Sequence, residues 1–366
     1  MSVTAAVVEH EHAPFELHAV EVGALYPDEV LIDVAAVGIC HSDLLARAGA
    51  FLVPLPAVLG HEGAGTVVAV GDAVTRVAPG DRVVLSYDSC GHCPTCAQRR
   101  PSYCHEFVPR NFGGRRPDGT SALSRDGAPL HAHFFGQSSF AERAVSREDS
   151  VVKVDADIPF ALLAPFGCGI QTGAGAVINV LAPHAGASIA IFGAGGVGMS
   201  AIMAARAVGC GTIVAVDLDV GRLELALELG ATHAVNAAEA DAVEAVRAVT
   251  GGGAAYSLEC TGRPQVLRQT VDVLAPTGVC GLVGVQAPGT PLALEANDII
   301  PFGRTIRGII EGDSVPSQFI PRLLELWRHG RFPVERLVQT FDFDQINAAV
   351  HEAERGAAVK PVLLVR

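Results

Sequence analysis

Two patterns of hydrophobic positions divide the chain. Up to about residue 88, short apolar runs such as residues 30–34 and 65–70 alternate with glycine and proline turns, which predicts a β-rich region. From about 170 to 309, apolar runs of strand length alternate with stretches of helical spacing, which predicts six strands with intervening helices. This alternation is typical of a parallel sheet with helices on both faces, so we predict a doubly wound α/β domain here.

The remaining stretches complete this pattern. Residues 105–133 are polar and rich in glycine and arginine, which predicts a long loop. After residue 311 we predict two helices, near 317–329 and 343–354, and a last strand over 361–365, and we expect this part to return to the first domain. Residues 158–205 carry no charge, but prolines and glycines interrupt them, so we expect no membrane helix there.

Composition narrows the class of protein. The 366 residues are 49% hydrophobic, which is ample for two cores. The net charge is −13 and no basic run occurs, so nucleic acid is not an expected partner. The N-terminus lacks a signal pattern, and the cysteine count is odd, at nine. We therefore expect a cytoplasmic protein whose closely spaced cysteines bind metal rather than form disulfides.

A glycine-rich turn follows one predicted strand of the second domain. Residues 188–192 form the strand, and the turn is Gly193-Ala194-Gly195-Gly196-Val197-Gly198, after which a helix continues to Val208. The first glycine suits a tight turn, Gly195 lets a pyrophosphate approach the backbone, and Gly198 lets the helix lie close to the strand. This order predicts a dinucleotide-binding site, with the phosphates at the start of the helix.

An acidic residue after the next strand indicates which dinucleotide binds. Residues 212–216 predict this second strand, and Asp217 lies 19 residues after Gly198. A carboxylate here binds both ribose hydroxyls of adenosine and repels a 2′-phosphate, which favours NAD over NADP. Arg222, five residues further on, is within reach of the ribose or a phosphate.

Four cysteines lie within 15 residues, at gaps of three, three and eight: Cys90, Cys93, Cys96 and Cys104. This spacing predicts a tetrahedral zinc site, which is structural because four thiolates leave no open position. The alternative is a pair of disulfides or a redox pair, which a reducing compartment disfavours.

Three further potential ligands, Cys40, His61 and Cys168, are scattered along the chain. Spacing does not show that they converge, and for each taken singly a buried cysteine or a satisfied core histidine is the favoured interpretation.

Taken together and in order, these motifs resemble the medium-chain, zinc-dependent alcohol dehydrogenases over nearly the whole chain. Residues 90–94 and 165–175 are similar to the aryl (benzyl) alcohol dehydrogenase branch. The resemblance implies a β-rich, GroES-like catalytic domain over 1–169 and 310–366 and a Rossmann cofactor domain over 170–309. It also implies a homodimer, with a tetramer as the alternative.

The resemblance also assigns roles to single residues. It implies that Cys40, His61 and Cys168 hold a catalytic zinc with one open position, so that the chain carries two zinc ions. Asp43 then orients His61, and Glu62 lies close behind the metal. The other implied contacts are Thr172 and Val197 beside the nicotinamide, Gly284 and Val285 at its carboxamide, Lys360 and His41 at the pyrophosphate, and Phe134 and Phe135 in the substrate pocket.

The implied reaction is the reversible oxidation of a primary alcohol, aromatic or allylic, to its aldehyde, with hydride transfer to NAD. Many relatives pass the alcohol proton from a hydroxyl through the cofactor to a histidine three residues beyond that hydroxyl. Here Ser42 supplies the hydroxyl, but Leu45 stands where that histidine would be. We predict that His41 is the base, because histidine titrates near neutral pH. The alternative is that His41 only binds phosphate.

Other functions fit the same motifs. Within the enzymes, the alternatives are a thiol-adduct formaldehyde dehydrogenase and a terpene (geraniol-type) alcohol dehydrogenase. Arg115 and Arg116 would suit an anionic cosubstrate, although arginines in a loop are more often solvated. From a different class, a non-catalytic, zinc-stabilised NAD-binding redox sensor is the alternative. Such a sensor would not need Cys40, His61, Cys168 and Ser42 together.

Overall fold

The computed structural model describes residues 1–51, 53–154, 157–286 and 288–365, and the chain forms two compact units. Unit 1 comprises Met1–Cys168, Val315–Pro321 and Val334–Arg366, and unit 2 comprises Gly169–Ser314 and Arg322–Pro333. Residues 322–333, which the predicted boundary assigned to the first domain, pack with unit 2.

The first part of unit 1 is rich in strands, as predicted. Its strands are β1 (Ser2–Val8), β2 (Phe15–Val22), β3 (Glu29–Gly38), β4 (Ala57–Val58), β5 (Glu62–Val70), β6 (Arg82–Leu85), β7 (Leu123–Arg125), β8 (Ala128–Pro129), β9 (Arg143–Arg147) and β10 (Val151–Lys153). Its helices are short: α1 (His41–Arg47), α2 (Pro94–Ala97), α3 (Phe107–Phe112) and α4 (Phe160–Leu163).

The following part of the chain alternates helices and strands. Its elements are α5 (Gly169–Gly175), β11 (Ser188–Phe192), α6 (Gly196–Val208), β12 (Thr212–Asp217), α7 (Val220–Leu229), β13 (His233–Asn236), α8 (Ala242–Val249), β14 (Ala254–Glu259), α9 (Pro264–Asp272), β15 (Leu274–Leu282), α10 (Ala296–Ile299), β16 (Thr305–Gly308) and α11 (Pro316–Arg328). The chain ends with β17 (Val338–Asp342), α12 (Ile346–Glu354) and β18 (Lys360–Leu364).

The strands of unit 1 form two sheets. One has the order β4-β1-β2-β7-β8, and the other has the order β10-β6-β5-β3-β18-β17, with β9 also paired to β3. The last strand, β18, is antiparallel to β3 with Val362 opposite Gly38, so the chain returns to unit 1 as predicted. Gly38 in turn lies opposite Glu62 of β5, which brings the C-terminal strand close to the His61 region.

Unit 2 contains a six-stranded parallel sheet with the order β13-β12-β11-β14-β15-β16. The direction of chain progression reverses between β11 and β14, which is where open α/β sheets bind ligands. The predicted doubly wound fold is confirmed. Strand β15 begins at Leu274, which pairs with Ala254, although Pro276 and Thr277 interrupt the apolar pattern of the strand.

The prediction of a long loop over residues 105–133 is wrong. This region contains α3 and the β7–β8 hairpin. Arg116 is buried, donates two hydrogen bonds of 2.6 Å to the Glu29 carboxylate, and lies over the Tyr26 ring at 4.0 Å. Arg115 is exposed and donates to the Gly119 carbonyl at 3.0 Å. The Arg116 guanidinium therefore holds the region against the start of β3, since bidentate pairing to a carboxylate fixes both partners.

The uncharged run over residues 158–205 is divided among α4, α5, β11 and α6. Among the described residues, no single helix is both long enough and apolar enough to cross a membrane. The consecutive segments Phe160–Gly167 and Gly169–Leu181 meet the length and composition criteria only when they are taken together.

Candidate active site

Cys40, His61 and Cys168 come from three distant parts of the chain and meet in unit 1. Cys40 directly precedes α1, His61 directly precedes β5, and Cys168 follows a 3₁₀ turn over Ala164–Gly167. Their ligand atoms all lie within 4.8 Å of one another. The fold therefore supplies the convergence that the sequence spacing could not show.

The His61 ring is held at one nitrogen and unpaired at the other. Its Nδ1 lies 2.9 Å from Asp43 Oδ1, and both side chains are fully buried. Its Nε2 is buried without a hydrogen-bond partner among the described residues. An unsatisfied buried polar group costs about 1–3 kcal/mol, and a metal ion at Nε2 would remove that cost. The donor set, two sulfurs and one imidazole nitrogen, fits zinc with a fourth position left open.

The charge state of the sulfurs also suits a metal. A hydrogen bond from Cys168 lowers the pKa of the Cys40 thiol well below its ordinary value, against the effect of burial and with help from the charge of Lys360. The thiolate is the form that binds metals. The backbone N–H of Cys40 also donates to Asp43 Oδ2 at 2.9 Å, so the same carboxylate holds both Cys40 and His61.

Glu62 and Lys360 form a buried ion pair beside this cluster. Lys360 Nζ lies 2.9 Å from both carboxylate oxygens of Glu62 and donates to the Ile39 carbonyl at 3.3 Å. Burial raises the pKa of Glu62, and the charge of Lys360 opposes the rise. For Lys360, burial acts to lower the pKa, but the charge of Glu62 raises it overall. Lys360, predicted at the cofactor pyrophosphate, thus lies in a buried pair, and the phosphate contact stays a prediction.

The four closely spaced cysteines form a second cluster. The sulfurs of Cys90, Cys93, Cys96 and Cys104 all lie within 4.8 Å of one another. All nine cysteines lie in the described part of the chain, and no disulfide joins any of them. The geometry therefore fits a closed tetrahedral zinc site rather than a pair of disulfides.

Backbone and side-chain donors surround these sulfurs. The N–H of Cys90 donates to Cys104 Sγ and the N–H of Cys93 donates to Cys90 Sγ, both at 3.2 Å. A hydrogen bond from Thr95 lowers the pKa of Cys93 to about 5, whereas burial raises the pKa of Cys96 to about 12. A bound zinc would favour the thiolate form of all four cysteines.

Phenylalanine rings surround His61. Phe135 stacks on the imidazole at a centroid distance of 4.3 Å, and Phe134 approaches edge-on at 5.3 Å. Phe112 contacts Phe135 at 5.2 Å and Phe51 at 4.7 Å, which extends the aromatic surface. Phe134 and Phe135 were predicted in the substrate pocket, whereas Phe51 and Phe112 were not. Phe112 stands between Asn111 and Gly113 in the presumed loop, so no apolar run marked it.

The glycine turn of unit 2 has the geometry of a dinucleotide site. Gly193 has a φ of +93°, and a Cβ at Gly198 would lie 1.8 Å from the Gly193 carbonyl oxygen, so both positions require glycine. A Cβ at Gly195 would meet no atom within 4 Å, which leaves that side of the turn open. Asp217, at the end of β12, accepts hydrogen bonds from Ala194 N at 2.6 Å and Leu218 N at 2.8 Å.

Other predicted cofactor contacts lie on unit 2. Thr172 is buried in α5, and its hydroxyl has no hydrogen-bond partner among the described residues. Helix α5 lies close to Val197, because a Cβ at Gly173 would be 2.0 Å from the Val197 carbonyl oxygen. At Gly284 a Cβ would lie 2.1 Å from Gly262 N. The orphaned Thr172 hydroxyl, next to an open glycine turn, fits a bound dinucleotide.

The other predicted site residues lie on both units, and their roles stay predictions. Val285 is exposed, and Arg222 lies on α7, where its backbone N–H donates to the Asp219 carboxylate at 2.9 Å. His41 and Ser42 open α1, directly after Cys40, with His41 exposed and Ser42 half-buried. Leu45 lies one turn further along the same helix.

A three-ligand metal cluster, a closed four-thiol cluster and a dinucleotide turn define a metal-dependent dehydrogenase that uses a nicotinamide cofactor. Sequence profiles agree with this class. One described as an alcohol dehydrogenase GroES-like domain matches residues 26–156, and one described as a zinc-binding dehydrogenase matches residues 196–327. The chain belongs to the zinc-binding, medium-chain alcohol dehydrogenases.

Individual relatives match over the full chain. A geraniol dehydrogenase from Castellaniella defragrans is 50% identical over 100% of this chain and 98% of its own. The structure of an alcohol dehydrogenase zinc-binding domain protein from Burkholderia ambifaria has a TM-score of 0.98 and 52% identity, covering 100% of this chain and 99% of that chain. The benzyl alcohol dehydrogenase structure from Acinetobacter calcoaceticus has a TM-score of 0.97 and 45% identity, with both chains covered completely.

Proposed function

We propose that this protein oxidises a primary allylic or aromatic alcohol, reversibly, to its aldehyde, with NAD as the hydride acceptor. The phenylalanine surface around His61 is the observation that carries the substrate class, because flat unsaturated groups pack well against aromatic rings. Two of the relatives are named for geraniol and benzyl alcohol, one allylic and one aromatic. Unit 1 would be the catalytic zinc domain, and unit 2 the dinucleotide-binding domain.

Zinc, when bound, supplies a Lewis acid for the alcohol oxygen, and NAD supplies the hydride acceptor. Cys40, His61 and Cys168 would hold that zinc, and the four-cysteine cluster would hold a second one. Asp43 Oδ1 would accept a hydrogen bond from Nδ1–H of His61, which leaves the lone pair of Nε2 for the metal. The surrounding phenylalanines exclude water, which strengthens electrostatic interactions at the reacting oxygen.

Proton removal would use two residues at the start of α1. Ser42 would accept the proton of the alcohol while giving up its own hydroxyl proton, and His41 would pass a proton on to solvent, since His41 is exposed and directly adjacent. In the alternative, His41 binds a cofactor phosphate and the proton leaves through water.

The substrate is tested with a panel of aromatic, allylic and short aliphatic alcohols, together with a thiol–formaldehyde adduct. We expect the highest kcat/KM for benzyl-type and geraniol-type alcohols. A preference for the adduct would favour the formaldehyde-type alternative, although the Arg116 guanidinium is already engaged by Glu29. Zinc analysis tests the redox-sensor alternative, because an enzyme needs about two zinc ions per chain and a sensor needs the four-cysteine site alone.

The choice of NAD over NADP rests on Asp217. Its carboxylate ends β12 beside the glycine turn, where it would repel a 2′-phosphate. We expect a ratio of kcat/KM for NAD over NADP of about ten or more. Asp217→Ser should shift this ratio toward NADP by about 1–3 kcal/mol, the value of a charge-assisted hydrogen bond. Asp219→Ser removes a nearby carboxylate and should leave the ratio unchanged, and an equal shift in both variants would contradict the assignment.

A homodimer is the proposed assembly. Strand β16 is at the edge of the unit 2 sheet and is mostly exposed. Nearby, Ile300 and Phe302 are 74% and 42% exposed. Exposed strand edges with apolar neighbours favour pairing with another chain, so a second copy would cover this edge. Light scattering should show a dimer that Ile300→Asp with Phe302→Asp weakens, whereas Val108→Asp, at an exposed valine of unit 1, should not.

The proposed location is the cytoplasm. Two clusters that depend on thiolates need a reducing compartment, and no disulfide joins the nine cysteines of the described chain. Cell fractionation would test this, with activity expected in the fraction that contains cytoplasmic markers.

A further inference from the structure

The segment 133–139 surrounds His61 on several sides. Phe135 stacks on one face of its ring, and Phe134 approaches that ring edge-on. The Gln137 side chain donates from Nε2 to the His61 carbonyl oxygen at 2.9 Å. The backbone N–H of Ser139 donates to the Gly60 carbonyl at 2.9 Å, directly before His61. This segment therefore holds both the ring and the backbone of His61.

The backbone of the same segment is strained. His133, Phe135 and Ser138 have φ values of +65°, +50° and +51°, in the left-handed region that non-glycine residues rarely adopt. Ser138 Oγ anchors the strained stretch, donating to the Val58 carbonyl at 2.6 Å and accepting from Phe134 N at 2.9 Å. Such strain persists only where surrounding contacts impose it, and it is concentrated at functional sites.

Gln137 uses both ends of its amide. In addition to the His61 carbonyl, Nε2 donates to the Ser86 carbonyl at 3.3 Å. Oε1 accepts from Gly63 N at 3.1 Å and from Ser139 Oγ at 3.0 Å. The side chain is buried, and its two donors and its acceptor oxygen are all engaged, so the orientation of the amide is determined. Gln137 thus joins the start of β5 to the residue that follows β6.

Ser86 extends this hydrogen-bond network toward a second metal ligand, Cys168. Ser86 Oγ donates to the Gly167 carbonyl at 2.8 Å, and Cys168 is the next residue. A Cβ at Gly167 would lie 2.1 Å from the Leu85 carbonyl oxygen, so the two backbones are in close contact here. Asp43, by contrast, joins Cys40 to His61. Gln137 and Ser86 thus form a chain of hydrogen bonds from His61 to the segment that carries Cys168.

We propose that Gln137 is a positioning residue for the three-ligand metal cluster. Its amide couples the His61 backbone to the segment that carries Cys168, so the ligands keep a metal-binding separation without relying on the metal to gather them. The polar groups around a ligand tune metal retention even though they do not touch the metal. This inference rests on the proposed zinc site.

The test replaces the amide with an apolar group of similar length, in Gln137→Met. The readouts are the rate at which a chelator removes metal from the three-ligand site and the visible absorption of that site after cobalt(II) substitution. The Cys168→Ala variant identifies the signals, because it lacks the site. We expect metal release about ten- to a hundredfold faster, with a changed cobalt spectrum, a lower kcat and an unchanged rate at the four-cysteine site.

Asn111→Leu is the matched control. Asn111 is another fully buried amide of unit 1, and it bonds to backbone groups of Asp88 and Phe107 and not to His61 or Gly63. We expect this variant to leave the release rate from the three-ligand site within twofold of the wild-type rate. Equal acceleration in both variants would show a general loss of stability and would overturn the proposal.

Ser86→Ala gives a second test in case Gln137→Met does not fold. It removes the hydroxyl that bonds to Gly167 but keeps the Ser86 carbonyl that accepts from Gln137. We expect severalfold faster metal release, and a wild-type rate would overturn the proposal. If the wild-type protein binds a single metal, the proposed zinc site fails and this inference fails with it. If it binds two and Gln137→Met releases both at wild-type rates, this inference alone is wrong.

Discussion

The two cysteine clusters differ in how far apart their ligands lie in the chain. The four-cysteine cluster is assembled within 15 residues, by short turns whose own N–H groups donate to the sulfurs. The three-ligand cluster draws Cys40, His61 and Cys168 from residues far apart in the sequence, and side chains such as Asp43 and Gln137 hold them. A local cluster can form with its turn, whereas a dispersed cluster requires the completed fold.

The difference in assembly matches a difference in chemistry. Four sulfurs would close the coordination sphere of a bound zinc, so we expect that site to contribute to folding and to offer no position for substrate. Three ligands leave a position open, and the unpaired His61 Nε2 points to a metal that also binds a reactant. Separate variants of the two sites should therefore fail in different ways.

The largest expected effect is on activity, in Cys168→Ala. We expect kcat/KM for the preferred alcohol to fall by about 10³-fold or more, because an electrophile at the reacting oxygen is lost. The variant should remain folded and bind NADH with wild-type affinity, because Asp217 and the glycine turn lie in unit 2. Steady-state kinetics and NADH fluorescence titration measure the two quantities.

Loss of a ligand from the four-cysteine cluster should lower the thermal stability of the protein. We expect Cys96→Ala to lower the Tm by about 4 °C, which corresponds to roughly 3 kcal/mol in a protein of this size, and to lose one metal. Cys280→Ala is the control, because Cys280 is buried in unit 2 outside both clusters. If Cys96→Ala and Cys168→Ala fail in the same way, the distinction between the sites is wrong. Differential scanning calorimetry and metal analysis provide the comparison.

Acidic pH should destabilise the segment 133–139, which supports the three-ligand cluster. His133 is buried and accepts a hydrogen bond from Ala122 N at 3.2 Å. Burial, aided by the charge of Arg116, lowers the pKa of His133 to about 4. The unfolded chain therefore takes up this proton near pH 6.5, before the folded protein does. The stability contributed by neutral His133 is complete above about pH 6.5 and is lost as the pH falls toward 4.

The loss linked to His133 is up to about 3 kcal/mol, from the difference between its folded and ordinary pKa values. His133→Gln does not titrate, so we expect its unfolding free energy to fall less steeply between pH 6.5 and 4. Urea unfolding of both proteins across this range measures the difference. Parallel pH dependences would mean that His133 titrates normally in the folded protein.

The smallest expected effect concerns the proton path at the start of α1. We expect His41→Gln to slow hydride transfer severalfold near neutral pH and to flatten the pH profile of kcat, with partial rescue by small exogenous bases. Adding Leu45→His to the His41→Gln variant should restore part of the rate of hydride transfer. If His41→Gln changes only the affinity for NAD, then His41 is a phosphate ligand and the proton leaves by another route.

Local patterns were sufficient to predict much of this protein. The four-cysteine spacing, the glycine turn with Asp217, and the alternation of strands and helices in unit 2 each depend on residues close in sequence. The loop predicted over 105–133 was wrong because its order comes from distant contacts, above all between Arg116 and Glu29. A six-residue helix and a short hairpin have weak signals of their own.

The sequence by itself determined which chemical groups the dehydrogenase has available and where its cofactor turn lies. The tertiary structure decided which of these groups meet. Pairing of β18 with β3 carries Lys360 to Glu62, although they are far apart in the chain. Likewise, only the fold brings Cys40, His61 and Cys168 together and places Gln137 between the segments that hold them. Sequence spacing specifies neighbours within a turn, whereas contacts between distant strands depend on how the whole sheet packs.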